Sequence, residues 1–194
     1  MFSEQLRPCI ISMLDLIGTR SQAASGRASS AMVRMHQTAA NKINHGLPLH
    51  SHGYVWNDSV LLLSYEVSQE KRPALLAELN EFKFWLEDQC NASFYAITVK
   101  GQAFPEDPFA SSVFDGQISQ QPRAVVLKTS SWAMANCFFI EKQLGYQKAD
   151  WYIDSRVIEG VPLQEPIASE DVELLPKNEK RTVHMFQGRL KVDS

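Results

Sequence analysis

No apolar run in this chain reaches the roughly 20 residues that a membrane-crossing helix needs. The N-terminal segment Met1-Phe2-Ser3-Glu4-Gln5-Leu6-Arg7-Pro8 lacks the basic start and apolar centre of a secretory signal. Cysteine is scarce: Cys9, Cys90 and Cys137 are widely spaced among 194 residues, with no CxxC pair. That argues against a disulfide framework and predicts buried free thiols in a reducing compartment. An excess of basic charge is also missing. Lys and Arg number 19 against 22 Asp and Glu, a net charge of −3. General nucleic-acid binding usually shows as a basic face, so this balance counts against it. The sequence has no internal repeat and no low-complexity segment. These absences predict a cytoplasmic protein with neither a membrane nor a nucleic acid as partner.

What is present is an ordinary apolar fraction, 44%, with 21% charged residues. Over this length that is enough for one sizeable domain. Residues 1–194 read as a single domain, with a core over about 9–154 and a C-terminal extension over 155–194. Residues 9–17 form a nearly continuous apolar run closed by Gly18, the pattern of a central strand buried on both faces. Residues 20–44 predict a helix whose apolar stripe is Ala31, Met32, Met35, Ala39 and Ile43, stopped by His45-Gly46-Leu47-Pro48. Strands over about 49–56 and 59–67 flank Asn57-Asp58, a hairpin turn. Residues 70–89 predict the strongest helix, with Pro73 in its first turn and Leu75, Leu76, Leu79, Phe82 and Leu86 on one face. A strand over 93–100 follows, then a loop over 101–122 rich in Pro, Gly, Ser and Gln. A helix over about 130–144 comes next, capped by Ser130 or Ser131 and stopped at Gly145. A strand over 149–154 and a late strand near 182–191 complete the chain. This order predicts an α+β fold: a ferredoxin-like antiparallel sheet with helices packed on one face.

Two aspartates stand out. Asp15 interrupts the apolar run Ile10-Ile11-Ser12-Met13-Leu14-Asp15-Leu16-Ile17-Gly18, where an unpaired carboxylate is costly. It either caps the following helix through the Gly18 and Thr19 amides or binds a metal. Asp58, in Tyr54-Val55-Trp56-Asn57-Asp58-Ser59-Val60, is ordinary turn chemistry by itself. The pair says more than either, because a strand–helix–hairpin unit can bring strand end and turn together. Among the histidines, His50 and His52 share a strand face but have no third ligand at suitable spacing. His45 and His184 read as solvated. Phe82, Phe84 and Trp85 read as core or as a dimer interface.

Asp15-Leu16-Ile17-Gly18 resembles the Asp-Ile-Val-Gly signature of the class III nucleotidyl cyclases. Asn57-Asp58-Ser59-Val60 resembles their Gly-Asp-(Gly/Ser)-Val hairpin. The spacing of the two aspartates, the helix between them and the helix after the hairpin are similar too, and the resemblance covers roughly residues 9–154. It implies that Asp15 and Asp58 are catalytic residues holding two Mg²⁺ or Mn²⁺ ions, with the carbonyl of Leu16 as a further ligand. It implies conversion of a nucleoside triphosphate to its 3′,5′-cyclic monophosphate with loss of pyrophosphate. One ion would make the ribose 3′-hydroxyl more acidic and the other would clamp the triphosphate. The amides around Gly18 and Thr19 would bind phosphate oxygens. Arg20 would add charge there or remain solvated, and Lys100 is a phosphate or base candidate. In that family the metals sit on one subunit and the closing helix comes from the other, so a homodimer with the site at its interface is implied.

The departures refine the expectation. Thr19-Arg20 stands where the family has Phe-Thr. Tyr54 stands where purine cyclases carry a base-reading lysine, and the region of Thr129 where they carry its aspartate partner. A phenol in place of lysine re-polarises the base pocket, and the chain resembles the pyrimidine cyclases of Pycsar antiphage systems. Those make cyclic CMP or cyclic UMP, which a separate effector reads. The segments Ala133-Met134-Ala135-Asn136-Cys137-Phe138-Phe139-Ile140-Glu141-Lys142 and Trp151-Tyr152-Ile153-Asp154 are similar to their C-terminal part. Purine cyclases also use an Asn and an Arg on the closing helix. Aligned on Glu141, these fall on Ala135 and Phe139, which leaves Asn136, one residue off, as the catalytic candidate. Arg123 and Lys128 are nearby positive charges or surface residues. The expectation is therefore a cyclase for CTP or UTP. The alternative is a catalytically degenerate module of the same fold that binds nucleotide or regulates.

Overall fold

The computed structural model describes residues 7–19, 30–50, 52–65, 67–103, 132–146, 148–175 and 179–192. Arg20, Arg123, Lys128, Thr129, Ser130 and Ser131 lie outside these residues. So do the first part of the helix expected over 20–44 and nearly all of the loop expected over 101–122.

The first strand, β1 (Arg7–Leu16), is central to a seven-stranded sheet. Ile10, Leu14 and Leu16 enter one apolar cluster, and Cys9, Ile11 and Met13 enter another. A strand between two packed layers needs apolar residues at both parities, which explains the continuous run. On one side β1 pairs antiparallel with β3 (Ser59–Tyr65), which forms a hairpin with β2 (His52–Trp56). On its other side β1 pairs antiparallel with β4 (Phe94–Ala103). The remaining strands are β5 (Trp151–Asp154), β6 (Ala168–Leu174) and β7 (Glu179–Phe186), and the order is β2-β3-β1-β4-β5-β7-β6. The β4–β5 pair is parallel, unlike the antiparallel sheet expected. The reason is the long crossover between them, which lets β5 re-enter in the same direction.

Helices α1 (Ser30–Gly46) and α2 (Arg72–Cys90) cover the Ile10–Leu14–Leu16 face. All five leucine and phenylalanine positions expected on α2 are buried, as are Ala31, Met35 and Ala39 of α1. The third helix, α3 (Trp132–Leu144), covers the opposite face, where Ala133, Cys137, Ile140 and Leu144 join Cys9, Ile11 and Met13. The expected α+β fold is observed. Packing on one face, however, holds only for α1 and α2. Apolar residues at both strand parities leave a second face that must also be covered.

The approach of α3 depends on a glycine. A Cβ at Gly101 would lie 2.6 Å from the Cβ of Ala133, closer than side-chain atoms can pack. Beyond α3, buried Asp154 ties three strands together. Its Oδ2 accepts from Arg181 at 2.9 Å and from the Lys100 amide at 3.3 Å. Its Oδ1 caps the one-turn helix α4 (Ser155–Ile158) through the Arg156 amide at 3.1 Å. Two strands, β6 and β7, replace the single late strand expected near 182–191. The first is a sheet edge with Ala168, Ser169, Glu170 and Asp171 exposed, and a charged edge hides the strand pattern. The three cysteines are buried and free, as expected. Among the described residues no helix is long and apolar enough to cross a membrane.

Candidate active site

The C-terminal end of β1 and the β2–β3 turn meet through the main chain, with the Leu16 amide donating to the Asp58 carbonyl at 2.9 Å. The turn is built for this. Asn57 takes φ +50°, the left-handed conformation that Asn tolerates. His36 of α1 hydrogen-bonds the Asn57 carbonyl, fastening the turn to the helix layer. On the other side of Asp15 the chain turns at Gly18, φ +90°, a conformation open to glycine.

Asp15 is flanked in register by Ser59 on β3 and Tyr95 on β4. The Ser59 hydroxyl donates to its Oδ1, and the Tyr95 hydroxyl donates to Oδ2 at 2.9 Å. Thr19 donates its hydroxyl to Oδ2 of Asp58. Both carboxylates are thus held by neutral hydroxyls. Burial is the largest influence on Asp15 and raises its pKa from 3.8 to about 6. The Ser59 and Tyr95 hydrogen bonds oppose the rise, and the charges of Asp58 and of Glu141 on α3 add to it. Burial, then the charge of Asp15, pushes the Tyr95 phenol well above its ordinary value, so it remains a donor.

This donor set fits a hard divalent cation. Among the described residues no lysine or arginine is ion-paired with Asp15 or Asp58. A cation between them would offset the burial of the Asp15 charge and its smaller repulsion from Asp58. No three His, Cys, Asp or Glu among the described residues are gathered to hold a metal by themselves. A cation held here would draw on the two carboxylates, with water completing its shell.

The structure brings Asp15, Leu16, Gly18, Thr19 and Asp58 together at one end of the sheet. Tyr54 shares the sheet face of Asp15: it pairs with Leu61, which pairs with Met13, and all three border the same cluster. Two other candidates lie elsewhere. Lys100 pairs with Ile10, five residues along β1 from Asp15 and so about 17 Å away. Its amide and carbonyl serve the Asp154–Arg181 pair. Asn136 is buried against β6, where its side chain donates to the Leu175 carbonyl at 3.0 Å and accepts from the Leu175 amide at 2.8 Å. It points about 140° around the helix from Glu141, the α3 residue whose charge reaches Asp15. The expectation of a catalytic Asn136 thus meets an amide already committed to its own chain. Ala135 is partly buried and Phe139 is exposed. Arg20 lies outside the described residues.

Sequence reasoning missed Ser59, Tyr95, His36 and the proximity of Glu141. Ser59 had a signal, since it follows Asp58 and opens the strand beside β1. Tyr95 had none without the β1–β4 register. The two other histidine candidates are structural. His50 bonds Glu78 at 2.7 Å, and His52 packs edge-on against Tyr65. Burial, opposed by Glu78, holds His50 below its ordinary pKa.

No protein-family model and no curated protein matches the sequence. Solved structures do match in fold. The adenylyl cyclase CyaB from P. aeruginosa has a TM-score of 0.54 and 8% identity, covering 95% of this chain and 96% of that one. A bacterial light-regulated adenylyl cyclase has a TM-score of 0.52 and 10% identity, covering 93% and 91%. The catalytic core of a rhodopsin-guanylyl cyclase with converted specificity, in complex with ATPalphaS, has a TM-score of 0.56 and 10% identity, covering 97% and 100%. At these identities the likeness is one of fold: the chain has the fold of the class III nucleotidyl cyclase catalytic domains.

Proposed function

We propose that this chain is a nucleotidyl cyclase whose substrate is a pyrimidine nucleoside triphosphate, CTP or UTP. The observation that carries the reading is the joined pair Asp15 and Asp58, held by hydroxyls and without a described cationic partner, on a cyclase-type fold. Mg²⁺ or Mn²⁺ bound there supplies acidity at the ribose 3′-hydroxyl and neutralises charge on the triphosphate.

In this reading Asp15, Asp58 and the Leu16 carbonyl hold the ions. The Gly18 and Thr19 amides orient phosphate oxygens at the turn, and Arg20, the next residue in the sequence, would add charge. O3′ forms a bond to the α-phosphorus as the bond from that phosphorus to the bridging oxygen breaks. Pyrophosphate leaves with that oxygen, and the 3′-hydroxyl proton passes to solvent. Tyr54 sits on the face where the base would lie and offers a phenol in place of a cation, which supports a pyrimidine. The reading includes a homodimer that brings α3 to the partner subunit's carboxylates. Its product is a signal read by a separate effector in antiphage defence, supported by the resemblance to Pycsar cyclases.

A second reading is a cyclase-fold module that binds nucleotide without turnover. It is favoured by α3, where Ala135 and Phe139 occupy the aligned polar positions and Asn136 is committed to Leu175. Incubation with each of the four nucleoside triphosphates and Mn²⁺, with products separated by chromatography, distinguishes the two. The enzyme gives a cyclic pyrimidine product that Asp58→Ala abolishes. The module gives none and still binds nucleotide with Mn²⁺.

A further inference from the structure

Tyr95 faces Asp15 across the β1–β4 ladder, and its hydroxyl reaches Asp15 Oδ2 at 2.9 Å. Ser59 occupies the other oxygen from the opposite strand. Each carboxylate oxygen has two lone-pair sites, so the two hydroxyls restrict rotation of the group and leave a site on each oxygen for a ligand. The Tyr95 ring has little freedom. It is 1% exposed, lies 5.7 Å from the Tyr146 ring at 25°, and meets Tyr152 edge-on at 6.4 Å. Tyr152 is itself fastened. Its hydroxyl donates to the Gly145 carbonyl at 2.6 Å and accepts from the amides of Lys148 and Ala149, each at 3.1 Å. Gly145 directly follows the last residue of α3. A continuous set of contacts therefore runs from the end of α3 through Tyr146 and Tyr152 to Tyr95 and Asp15. Packing alone would be served by phenylalanine; the hydroxyl is what packing leaves unexplained.

We propose that Tyr95 is a positioning residue for a divalent cation at the Asp15–Asp58 pair: anchored by Tyr146 and Tyr152, its hydroxyl orients the Asp15 carboxylate and so sets how tightly the pair binds the ion. The inference rests on the reading of that pair as a metal site. Groups that orient ligands in this way typically contribute about 10–100-fold to metal affinity.

The test is calorimetric titration of Mn²⁺ into the metal-free full chain, with a thermal melt of each variant. Tyr95→Phe is expected to melt near the wild type and to bind Mn²⁺ roughly 10-fold more weakly. Tyr152→Phe, which loses three hydrogen bonds distant from the carboxylates, is expected to lower the melting temperature more than the Mn²⁺ affinity. Tyr146→Leu removes the stacked ring and keeps the Tyr95 hydroxyl; it serves if Tyr95→Phe does not fold, and is expected to weaken Mn²⁺ binding. Unchanged or tighter binding in a folded Tyr95→Phe, or unchanged binding in Tyr146→Leu where that variant stands in, overturns the proposal. Asp58→Ala is the separate control. If it binds Mn²⁺ like the wild type, or the wild type binds none, the reading of the pair as a metal site fails and the inference falls with it.

Discussion

The Leu16 amide donates to the Asp58 carbonyl at 2.9 Å, so the strand that carries Asp15 and the turn that carries Asp58 are joined by backbone rather than by the carboxylates. The side chain of Asp58 is therefore dispensable for the fold. Asp58→Ala is expected to cost about 1 kcal/mol or less in the metal-free protein, chiefly the Thr19 contact. It should abolish the stabilisation given by Mn²⁺ with CTP or UTP. Thermal melts with and without both ligands check this, and a variant that is still stabilised like the wild type contradicts it.

The raised pKa of Asp15 gives a pH dependence of known sign. Its carboxyl moves from 3.8 to about 6 on folding, through burial and the charges of Asp58 and Glu141. Its contribution to stability is fully present below 3.8 and is lost as pH rises through about 6. A bound cation competes with that proton, so stabilisation by Mn²⁺ should grow as pH rises through about 6 and then level off. Asp15→Asn isolates the effect, because His50, held low by burial, acts in the opposite sense as pH falls. Melts with Mn²⁺ or chelator across this range, for wild type and variant, provide the check. An Mn²⁺ increment that does not change with pH contradicts the account.

Gly101→Ala should destabilise the protein without direct contact with the site. The new Cβ would meet Ala133 at 2.6 Å, and overpacking of this kind costs about 1–3 kcal/mol. Ala133→Gly alone should cost about 1 kcal/mol through helix propensity. In the double variant the Cβ–Cβ clash is gone and only the tight 3.1 Å approach to the Cα of residue 133 remains, so the combined loss should be smaller than the sum. Urea unfolding of the four proteins measures this coupling, and strict additivity would show that the close approach of α3 is not limiting.

Asp154→Ala removes one partner of a buried ion pair, leaves the Lys100 and Arg156 amides without that acceptor, and leaves Arg181 with the Lys100 carbonyl and the partly exposed Glu179. Breaking such a pair costs about 3–5 kcal/mol. Urea unfolding should show a loss of this size, well beyond that of Asp58→Ala. Equal losses for the two would mean that the pair is not the lock between β4, β5 and β7.

These contrasts follow the boundary between what was legible in the sequence and what was not. β1 was legible because residues at both parities are apolar, and α2 because Leu75, Leu76, Leu79, Phe82 and Leu86 recur at helical spacing. The hairpin was legible from Asn57-Asp58, whose Asn takes the left-handed conformation. Asp15 and Asp58 were found together because strand, helix and hairpin follow one another in the chain. Tyr95 was not found, because its partner in the ladder is 80 residues away and only the register joins them.

The helix α3 was harder. Trp132, Phe138 and Phe139 are exposed, so α3 is apolar around most of its surface and periodicity does not mark its buried side. Its neighbour β6 is a charged edge strand that left no alternating pattern. Without β6 nothing in the sequence could show that Asn136 turns towards Leu175. Lys100 was misplaced for a similar reason: β4 extends to Ala103, so Lys100 lies within the strand and far from the Asp15 end.

The most direct test of the central claim is the stoichiometry of turnover by the purified protein with Mn²⁺ and CTP or UTP. Pyrophosphate and 3′,5′-cyclic monophosphate are measured in the same reaction, for the wild type and for Asp58→Ala. The account predicts one pyrophosphate for each cyclic pyrimidine nucleotide in the wild type, and neither product from the variant. A folded, Mn²⁺-loaded wild type that forms no cyclic product, or a variant that matches it, would contradict the account.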